Sequence, residues 1–258
     1  GCMSFGSEEP WMLDEEESRE IIDRAVELGI NFFDTANAYS AGESEEILGR
    51  ALDERDRAEQ VVATNVFFPV EEGLNRSGLS RKAIEQELAD SLDRLAMDTV
   101  DLLQIHRWDE DTPIEETLRT LNDAVRRGDV RHLGASSMWA YQLARAQETA
   151  RTNGYERFQT MQNHYHLAYR EEEREVLSLC EQEDIGVIPW GPLGQGYLTR
   201  PHDELRTTTR GDPENHHNPT PEYDAGGGRE INERVQELDD DRDVSMAQLS
   251  LAWLLHKD

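Results

Sequence analysis

Four polar residues in the first half of the chain have side chains that could do chemistry: Asp34, Tyr39, Asn65 and His106. Asp34, Asn65 and His106 each stand at the carboxyl end of a short apolar run, and Tyr39 lies just beyond the first of these runs. A phenol can protonate an oxygen that gains negative charge, as in carbonyl reduction, if its pKa is tuned down from about 10 toward neutrality. We therefore predict that Tyr39 is a general acid. His106 could orient the same oxygen, and the alternative for it is a core histidine bonded to the backbone.

The elements that must position these residues are short β-branched or apolar runs, each bounded by turn residues and too short for a helix. Runs of this kind are typical of buried parallel strands. We predict seven strands, at Cys2–Phe5, Asn31–Asp34, Val61–Val66, Val100–Ile105, Val130–Ala135, Phe158–Gln162 and Ile185–Trp190.

Segments with helical periodicity fill the gaps between the predicted strands. Gly29 is placed to end the first helix, and Ser80 and Ser245 are candidate N-caps of later helices. Pro113 suits the first turn of another helix. This alternation predicts an α/β fold with a parallel sheet. Seven units, with no G-x-G-x-x-G turn after an early strand, favour a (β/α)8 TIM barrel over a doubly wound sheet.

We expect residues 1–258 to form a single barrel domain from which the eighth strand and its helix are missing. An open barrel of this kind leaves strand edges exposed, and assembly into a homo-oligomer is one way to cover them, while an additional segment is another. Residues 200–228 are polar and rich in Pro, Gly, Asn and His, which is typical of a long surface excursion, with disorder as the alternative.

The composition is strongly acidic, with 55 Asp and Glu against 26 Lys and Arg and a net charge of -29. Such a chain repels nucleic acid and anionic membrane surfaces, so we expect neither as a partner. We find neither an apolar run of about 18 residues nor a signal sequence, which predicts a soluble cytoplasmic protein. All but two of the basic residues are arginines, and this pattern resembles the halophilic proteins of salt-accumulating archaea. An ordinary acidic mesophilic protein is the alternative.

A set of motifs spread over nearly the whole chain resembles the aldo-keto reductase family. The most specific of them is the segment from Gly29 to Ser40 followed by Gly42-Glu43-Ser44-Glu45. The others are Ser80-Arg81-Lys82, Asp101-Leu102-Leu103-Gln104-Ile105-His106, Gly134-Ala135-Ser136-Ser137, Gln162-Asn163-His164-Tyr165 and Pro189-Trp190-Gly191-Pro192-Leu193. The resemblance implies a (β/α)8 barrel that binds a nicotinamide cofactor, usually NADPH, and passes hydride to a small-molecule aldehyde or ketone.

The resemblance also implies a catalytic tetrad of Asp, Tyr, Lys and His, and here the chain departs from the family. Asp34, Tyr39 and His106 match, but Asn65 stands where the family has lysine. In the family pattern that ammonium lowers the tyrosine pKa and is held by the aspartate, whereas asparagine supplies no charge. A charge-assisted hydrogen bond in such a site is commonly worth about 2 to 4 kcal/mol, or about thirtyfold to a thousandfold in rate. Three interpretations stay open: a slow natural reductase, an engineered substitution, or a cofactor-binding protein that has lost catalysis.

The cofactor residues that the resemblance implies lie in the second half of the predicted barrel. Ser136 and Gln162 match positions that hold the nicotinamide carboxamide, with Ser137 and Asn163 beside them, and Trp190 matches the aromatic residue that stacks on the nicotinamide. Gly191, Leu193, Gly194 and Gly196 form a glycine-rich segment where barrels often bind phosphate. The family reads the 2′-phosphate of NADPH with a basic loop after the eighth strand, and the sequence ends at Lys257-Asp258 before that loop. The resemblance therefore implies NADPH, with NAD as the alternative.

Two other function classes compete with a reductase. His164 and His166 share a strand face and could ligate a metal in a hydrolase barrel, but two ligands are too few, and we expect no metal. His216 and His217 are expected to be exposed. A redox-sensing or regulatory protein that binds the cofactor with little turnover, like the family's channel auxiliary subunits, fits Asn65 nearly as well as slow catalysis does.

Overall fold

The computed structural model describes residues 1–71, 73–242 and 244–257. Its strands form one six-stranded sheet in which each strand lies beside the one that precedes it in the chain. The strands are β1 (Phe32–Asp34), β2 (Val61–Val66), β3 (Val100–Ile105), β4 (Val130–Ser136), β5 (Phe158–Gln162) and β6 (Gly186–Val187). The pairs from β1 to β4 are parallel. This confirms the predicted α/β class, and the sequential strand order is that of a (β/α)8 barrel.

Helices precede the first strand, connect the successive strands and follow the last strand. Their bounds are α1 (Glu15–Glu27), α2 (Glu43–Leu52), α3 (Arg81–Leu95), α4 (Ile114–Arg127), α5 (Ala140–Asn153), α6 (Val176–Gln182), α7 (Thr220–Ala225), α8 (Gly228–Arg242) and α9 (Met246–Leu255). Among the described residues, no helix is both long enough and apolar enough to cross a membrane.

The helix ends follow the predicted capping residues. The Ser80 hydroxyl accepts a hydrogen bond from the Ala83 amide at the start of α3, and Ser245 forms a capping box at the start of α9. Gly29 has a φ of 85° just beyond α1, the left-handed conformation that ends helices. Pro113 directly precedes α4 and is its N-cap residue. Local sequence therefore determines where these helices begin and end.

Helix α4 shows how the helices cover the sheet. Ile114, Leu118 and Leu121 recur at helical spacing and are buried. The first turn carries two glutamates and the last turn carries Arg126 and Arg127, so both ends complement the helix dipole. The apolar stripe provides the packing, and the charged ends favour the helix in that position.

Two predicted strands differ from the structure. Cys2–Phe5 is not a sheet strand, because the Phe5 amide bonds back to the Cys2 carbonyl in a turn and Phe5 forms only an isolated bridge with Leu13. The predicted strand Ile185–Trp190 is shortened to β6, since Pro189 has no amide hydrogen to donate to a ladder. The sheet therefore has six strands rather than the seven predicted.

The described chain divides into two compact units. The first comprises Gly1–Met161 and Leu179–Gly186, and the second comprises Gln162–Ser178 and Val187–Asp258. The first unit holds β1 to β4 and α1 to α5, with a core rich in Val, Leu and Ile. The second unit holds α7 to α9 and a separate small core of Tyr197, Leu198, Leu205 and Tyr223.

The polar segment 200–228 is anchored in the second unit. It contains a 3-10 helix at His202–Thr207 and the short helix α7. Leu205 and Tyr223 are its buried residues in the small core, 4% and 2% exposed. Burial of these two side chains fixes the backbone of segment 200–228, although its polar composition is typical of disordered segments.

The melting temperature is expected to rise with KCl concentration. Exposed ion pairs such as Arg24–Glu27 and Arg234–Glu237 contribute little stability, while a net charge of -29 produces strong self-repulsion. From about 0.1 M to about 1 M salt the Debye length falls from about 10 Å to about 3 Å, which screens that repulsion. Circular dichroism melts in a KCl series check this, with a sucrose series as the control for solvent exclusion. An unchanged melting temperature in KCl would contradict the prediction.

Candidate active site

The carboxyl ends of β1 and β2 bring Asp34 and Asn65 together. Asn65 Nδ2 lies 3.4 Å from Asp34 Oδ1 and donates a shorter hydrogen bond, 2.7 Å, to the Thr35 carbonyl. Gln104 on β3 is the register partner of Asn65 and donates through Nε2 to the same Asp34 oxygen at 2.9 Å. Parallel strands end at one edge of the sheet, which is why residues distant in sequence meet here.

The Asp34 carboxylate thus receives two neutral amide donors where the family pattern has a cation. Asn65 and Gln104 are fully buried, and their oxygens Asn65 Oδ1 and Gln104 Oε1 have no hydrogen-bond partner among the described residues. The amide orientations follow from the carboxylate, because turning either amide would place oxygen against oxygen. Position 65 thus places a neutral amide beside the Asp34 carboxylate.

Sequence analysis did not identify Gln104 as a site residue. Gln104 lies two residues before His106, so the alternation of a strand places both side chains on the same face. The spacing of Gln104 and His106 was therefore the signal in the sequence that could have identified Gln104 as a second amide beside Asp34.

Tyr39 opens a 3-10 helix that joins β1 to α2. Within this turn Ser40, Ala41 and Gly42 all have positive φ, at 49°, 51° and 93°. Left-handed conformation is costly for residues with a side chain beyond hydrogen, so the surrounding structure must hold the turn in place. The turn sets the position of the Tyr39 ring relative to the strand ends.

Buried polar contacts hold this turn from both sides. Thr35 and Ser44 hydroxyls lie 2.9 Å apart, and Ser44 donates to the Cys2 carbonyl at 2.8 Å. Asn37 Nδ2 lies 2.8 Å from the Glu87 carboxylate of α3. All five residues are buried, so each contact is shielded from water.

Tyr39 and His106 face one another at this edge of the sheet. Their ring centroids are 5.7 Å apart in an edge-to-face arrangement, and Phe68 packs edge-on against the other side of His106 at 5.0 Å. The structure therefore brings the predicted acid and the predicted orienting histidine together, beside the amides that hold Asp34.

The electrostatics of the pair favour neutral forms of both rings. Burial raises the pKa of Tyr39 above its ordinary value, and the negative charge of Asp34 raises it further. Burial lowers the pKa of His106 to about 4, with Arg107 acting in the same direction. At neutral pH the site thus offers a protonated phenol and an uncharged imidazole.

Ser136 and Ser137 lie at the end of β4 in the first unit. Ser136 is buried, and its hydroxyl is 3.2 Å from that of Ser137, which has a left-handed φ of 51°. Two adjacent hydroxyls at a strand end can donate to and accept from a polar ligand.

The predicted stacking residue Trp190 lies in the second unit within a column of aromatic rings. The His164 ring stacks on the half-buried indole at 3.9 Å with 6° between the planes, and Tyr169 stacks on His164 at 4.2 Å. The Trp190 amide donates to the carbonyl of Asn163, the residue after Gln162. These contacts fix the plane of the indole.

The glycine-rich segment follows Trp190 as a series of left-handed turns. Gly191, Gly194 and Gly196 have φ of 64°, 58° and 99°, and Leu193 lies between them. Gly194 suits this left-handed conformation, and a Cβ there would lie 3.3 Å from Cβ of Tyr197, a tight contact.

His164 and His166, weighed above as metal ligands, take part in a hydrogen-bond chain. Their Nε2 atoms lie 2.9 Å apart, and the Tyr223 hydroxyl lies 3.0 Å from His164 Nε2. The Ala168 amide donates to His166 Nδ1, which places the His166 proton on Nε2 as a donor toward His164. Cys2 and Cys180 are both buried, and neither takes part in a disulfide bond.

Comparisons with known proteins identify the family to which this chain belongs. The profile of the aldo/keto reductase family matches residues 1–258. The chain is 41% identical to a presumptive aryl-alcohol dehydrogenase of Schizosaccharomyces pombe, over 100% of the chain and 80% of the relative. It is 41% identical to aldo-keto reductase AMT2 of Alternaria alternata (95% and 72%) and 40% identical to versiconal hemiacetal acetate reductase of Aspergillus parasiticus (99% and 80%).

Proposed function

Because this chain belongs to the aldo/keto reductase family, we propose that it reduces an aldehyde or ketone with NADPH, at a rate limited by the missing cation at Asn65. The observation that carries the proposal is the Tyr39 and His106 pair, set edge-to-face at the strand ends beside Asp34. A proton donor next to a neutral hydrogen-bonding ring is what the reduction of a carbonyl oxygen requires.

The residues present fit a nicotinamide cofactor. The Trp190 indole is half-buried and held flat by the parallel His164 ring, and such a surface suits a planar heteroaromatic ring. In this proposal Ser136 and Gln162 hold the carboxamide with Ser137 and Asn163 beside them. The glycine-rich turns of Gly191, Leu193, Gly194 and Gly196 offer backbone amides to phosphate. When bound, NADPH would supply the hydride, with NADH as the alternative.

Tyr39 gives its phenolic proton to the carbonyl oxygen, and neutral His106 orients that oxygen by a hydrogen bond. The phenolate left behind is disfavoured, because it is buried and faces the Asp34 charge. Asn65 and Gln104 keep Asp34 in place but cannot offset its charge, since both are neutral. The proposed chemistry is therefore that of the family, with a weaker acid.

The same electrostatics favour a second candidate, a redox-sensing protein that binds the cofactor with little turnover. The raised pKa of Tyr39 and the neutral donors around Asp34 are the observations behind it. Cofactor binding and turnover must therefore be measured separately.

Loss of NADPH absorbance with a reactive aromatic aldehyde in concentrated KCl is the deciding assay. We expect slow turnover that falls by about a hundredfold or more in Tyr39→Phe, because the phenyl ring has no proton to give. Binding is followed in parallel by quenching of tryptophan fluorescence, with Trp190→Leu as the variant expected to lose affinity. Aromatic substrates are chosen because a relative carries the name aryl-alcohol dehydrogenase.

Three outcomes separate the candidates. Turnover that depends on Tyr39 supports the reductase. Binding without turnover of any carbonyl tested overturns it in favour of the redox-sensing protein. Failure to bind either NADPH or NADH overturns both candidates.

A further inference from the structure

Arg107 is a half-buried arginine at the end of β3, directly after His106. Within the part of the chain that the structure describes, its guanidinium makes neither a hydrogen bond nor an ion pair. This is unexpected in a chain with 55 acidic residues, where arginines on the helices are regularly paired with carboxylates. A partly buried charge without a counterion among the described residues is unfavourable in the resting protein. A function for the Arg107 charge would explain why it is there.

The acidic residues that follow Arg107 in sequence are engaged elsewhere. The Asp109 carboxylate accepts hydrogen bonds from the backbone amides of Leu79 and Asp111, at 2.7 and 3.0 Å. Glu110 accepts from the side-chain amide of Gln142 at 3.0 Å. The carboxylates of Asp109 and Glu110 thus bond to groups other than the guanidinium.

Arg107 directly follows His106, whose ring centroid lies 5.7 Å from that of Tyr39, and its positive charge acts on both rings. The charged and titratable groups that act on the phenol are Asp34, Cys2 and Arg107. Asp34 and Cys2 raise the pKa of Tyr39, and Arg107 lowers it. His106 stays neutral at physiological pH, so it adds no positive charge. Among the described groups that act on Tyr39, Arg107 is the one that carries a positive charge.

We propose that Arg107 supplies from the end of β3 the positive charge that Asn65 cannot supply from the end of β2. The inference rests on the proposed function and concerns one step of it. The phenolic O–H bond of Tyr39 breaks as the proton passes to the carbonyl oxygen, while hydride adds to the carbonyl carbon. The products are an alcohol and the Tyr39 phenolate, and the guanidinium stabilises that phenolate. Arg107 acts through Tyr39 and is therefore a positioning residue.

The test compares Arg107→Gln and Arg107→Lys with Arg126→Gln. Arg126 is an exposed arginine of α4, so its substitution removes the same charge away from the site. We expect Arg107→Gln to lower kcat by about tenfold or more with little change in KM, and Arg107→Lys to keep most of the activity. In the alcohol-oxidation direction the phenolate is the base, so the rise of rate with pH moves to higher pH in Arg107→Gln. Arg126→Gln should leave kcat and the pH profile as they are.

A spectroscopic readout separates this proposal from the reductase proposal. The ultraviolet difference between each protein and its Tyr39→Phe counterpart reports ionisation of Tyr39 alone. At the highest pH at which circular dichroism still shows native structure, the ionised fraction should fall in Arg107→Gln. This readout does not depend on turnover. If no carbonyl is reduced, the reductase proposal is contradicted, while a fall in the ionised fraction would still support the role of Arg107. An unchanged ionised fraction, a loss in KM alone, or equal losses in Arg107→Gln and Arg107→Lys would each overturn the role proposed for Arg107.

Discussion

Replacing Asn65 by lysine is expected to raise kcat by about thirtyfold to a thousandfold. Asn65 Nδ2 lies between Asp34 Oδ1 and the Thr35 carbonyl, so a lysine ammonium from the same position has acceptors to meet. The ammonium would offset the Asp34 charge that now raises the pKa of Tyr39. Tyr39 then becomes a stronger acid at the same geometry.

The measurement is NADPH oxidation by the protein and by Asn65→Lys, side by side in concentrated KCl. Asn65→Met is the matched control, because methionine is similar in length to lysine but carries no charge. If Asn65→Met is as fast as Asn65→Lys, length rather than charge decides the rate, and the electrostatic explanation fails. If Asn65→Lys is no faster than the protein itself, the weak acid is not what limits turnover.

A double variant connects this prediction to Arg107. If Arg107 and the lysine introduced in Asn65→Lys stabilise the same phenolate, the two charges are not independent. Arg107→Gln should then cost less in the Asn65→Lys background than in the protein itself. Losses that multiply as independent factors would show that the two positions act on different steps.

Much of this edge of the sheet could be predicted from the sequence, because it depends on local patterns. Runs such as Val61–Val66 and Val100–Ile105 are too short for helices and are buried as strands, and their ends carry Asn65 and His106 as predicted. Cys2–Phe5 has the same apolar character but folds into a turn. Composition cannot show which backbone amides will form hydrogen bonds with a neighbouring strand. The strand predicted at Cys2–Phe5 was therefore wrong.

The roles of Gln104 and Arg107 could not be predicted in the same way. Both are long polar side chains beside a motif residue, and their effect depends on where the end of the side chain points and on what else is charged nearby. His164 shows the same limit, since its spacing from His166 allowed us to weigh and set aside a metal site but did not predict that its ring stacks on Trp190. Orientation and partners are properties of the tertiary structure.

Removing the Arg94 charge is expected to destabilise the protein by about 3 to 5 kcal/mol. Glu45 of α2 is fully buried and lies 2.7 Å from Arg94 Nε of α3, and it also accepts a hydrogen bond from Thr64 of β2. Arg94→Met keeps most of the apolar stem but leaves the Glu45 carboxylate buried and unpaired. Denaturant unfolding at constant KCl measures the loss.

Two controls test whether the buried carboxylate is the cause. Adding Glu45→Gln to Arg94→Met removes the unpaired charge, so the double variant should recover part of the free energy of unfolding. Arg24→Met breaks the exposed pair with Glu27 and should cost no more than about 1 kcal/mol. A double variant as unstable as Arg94→Met alone would assign the loss to packing rather than to charge.

The same ion pair reaches the Tyr39 turn, so its loss should also slow the reaction in protein that is still folded. The Arg94 side chain packs against Gly42, where a Cβ would lie 2.6 Å from Arg94 Cδ, and Gly42 ends the turn that Tyr39 begins. Without the guanidinium this turn loses one of its supports, and Tyr39 is less well placed for proton transfer. We expect kcat of Arg94→Met to fall under conditions where circular dichroism shows native structure. An unchanged kcat would mean that the buried contacts of Thr35, Asn37 and Ser44 hold the turn by themselves.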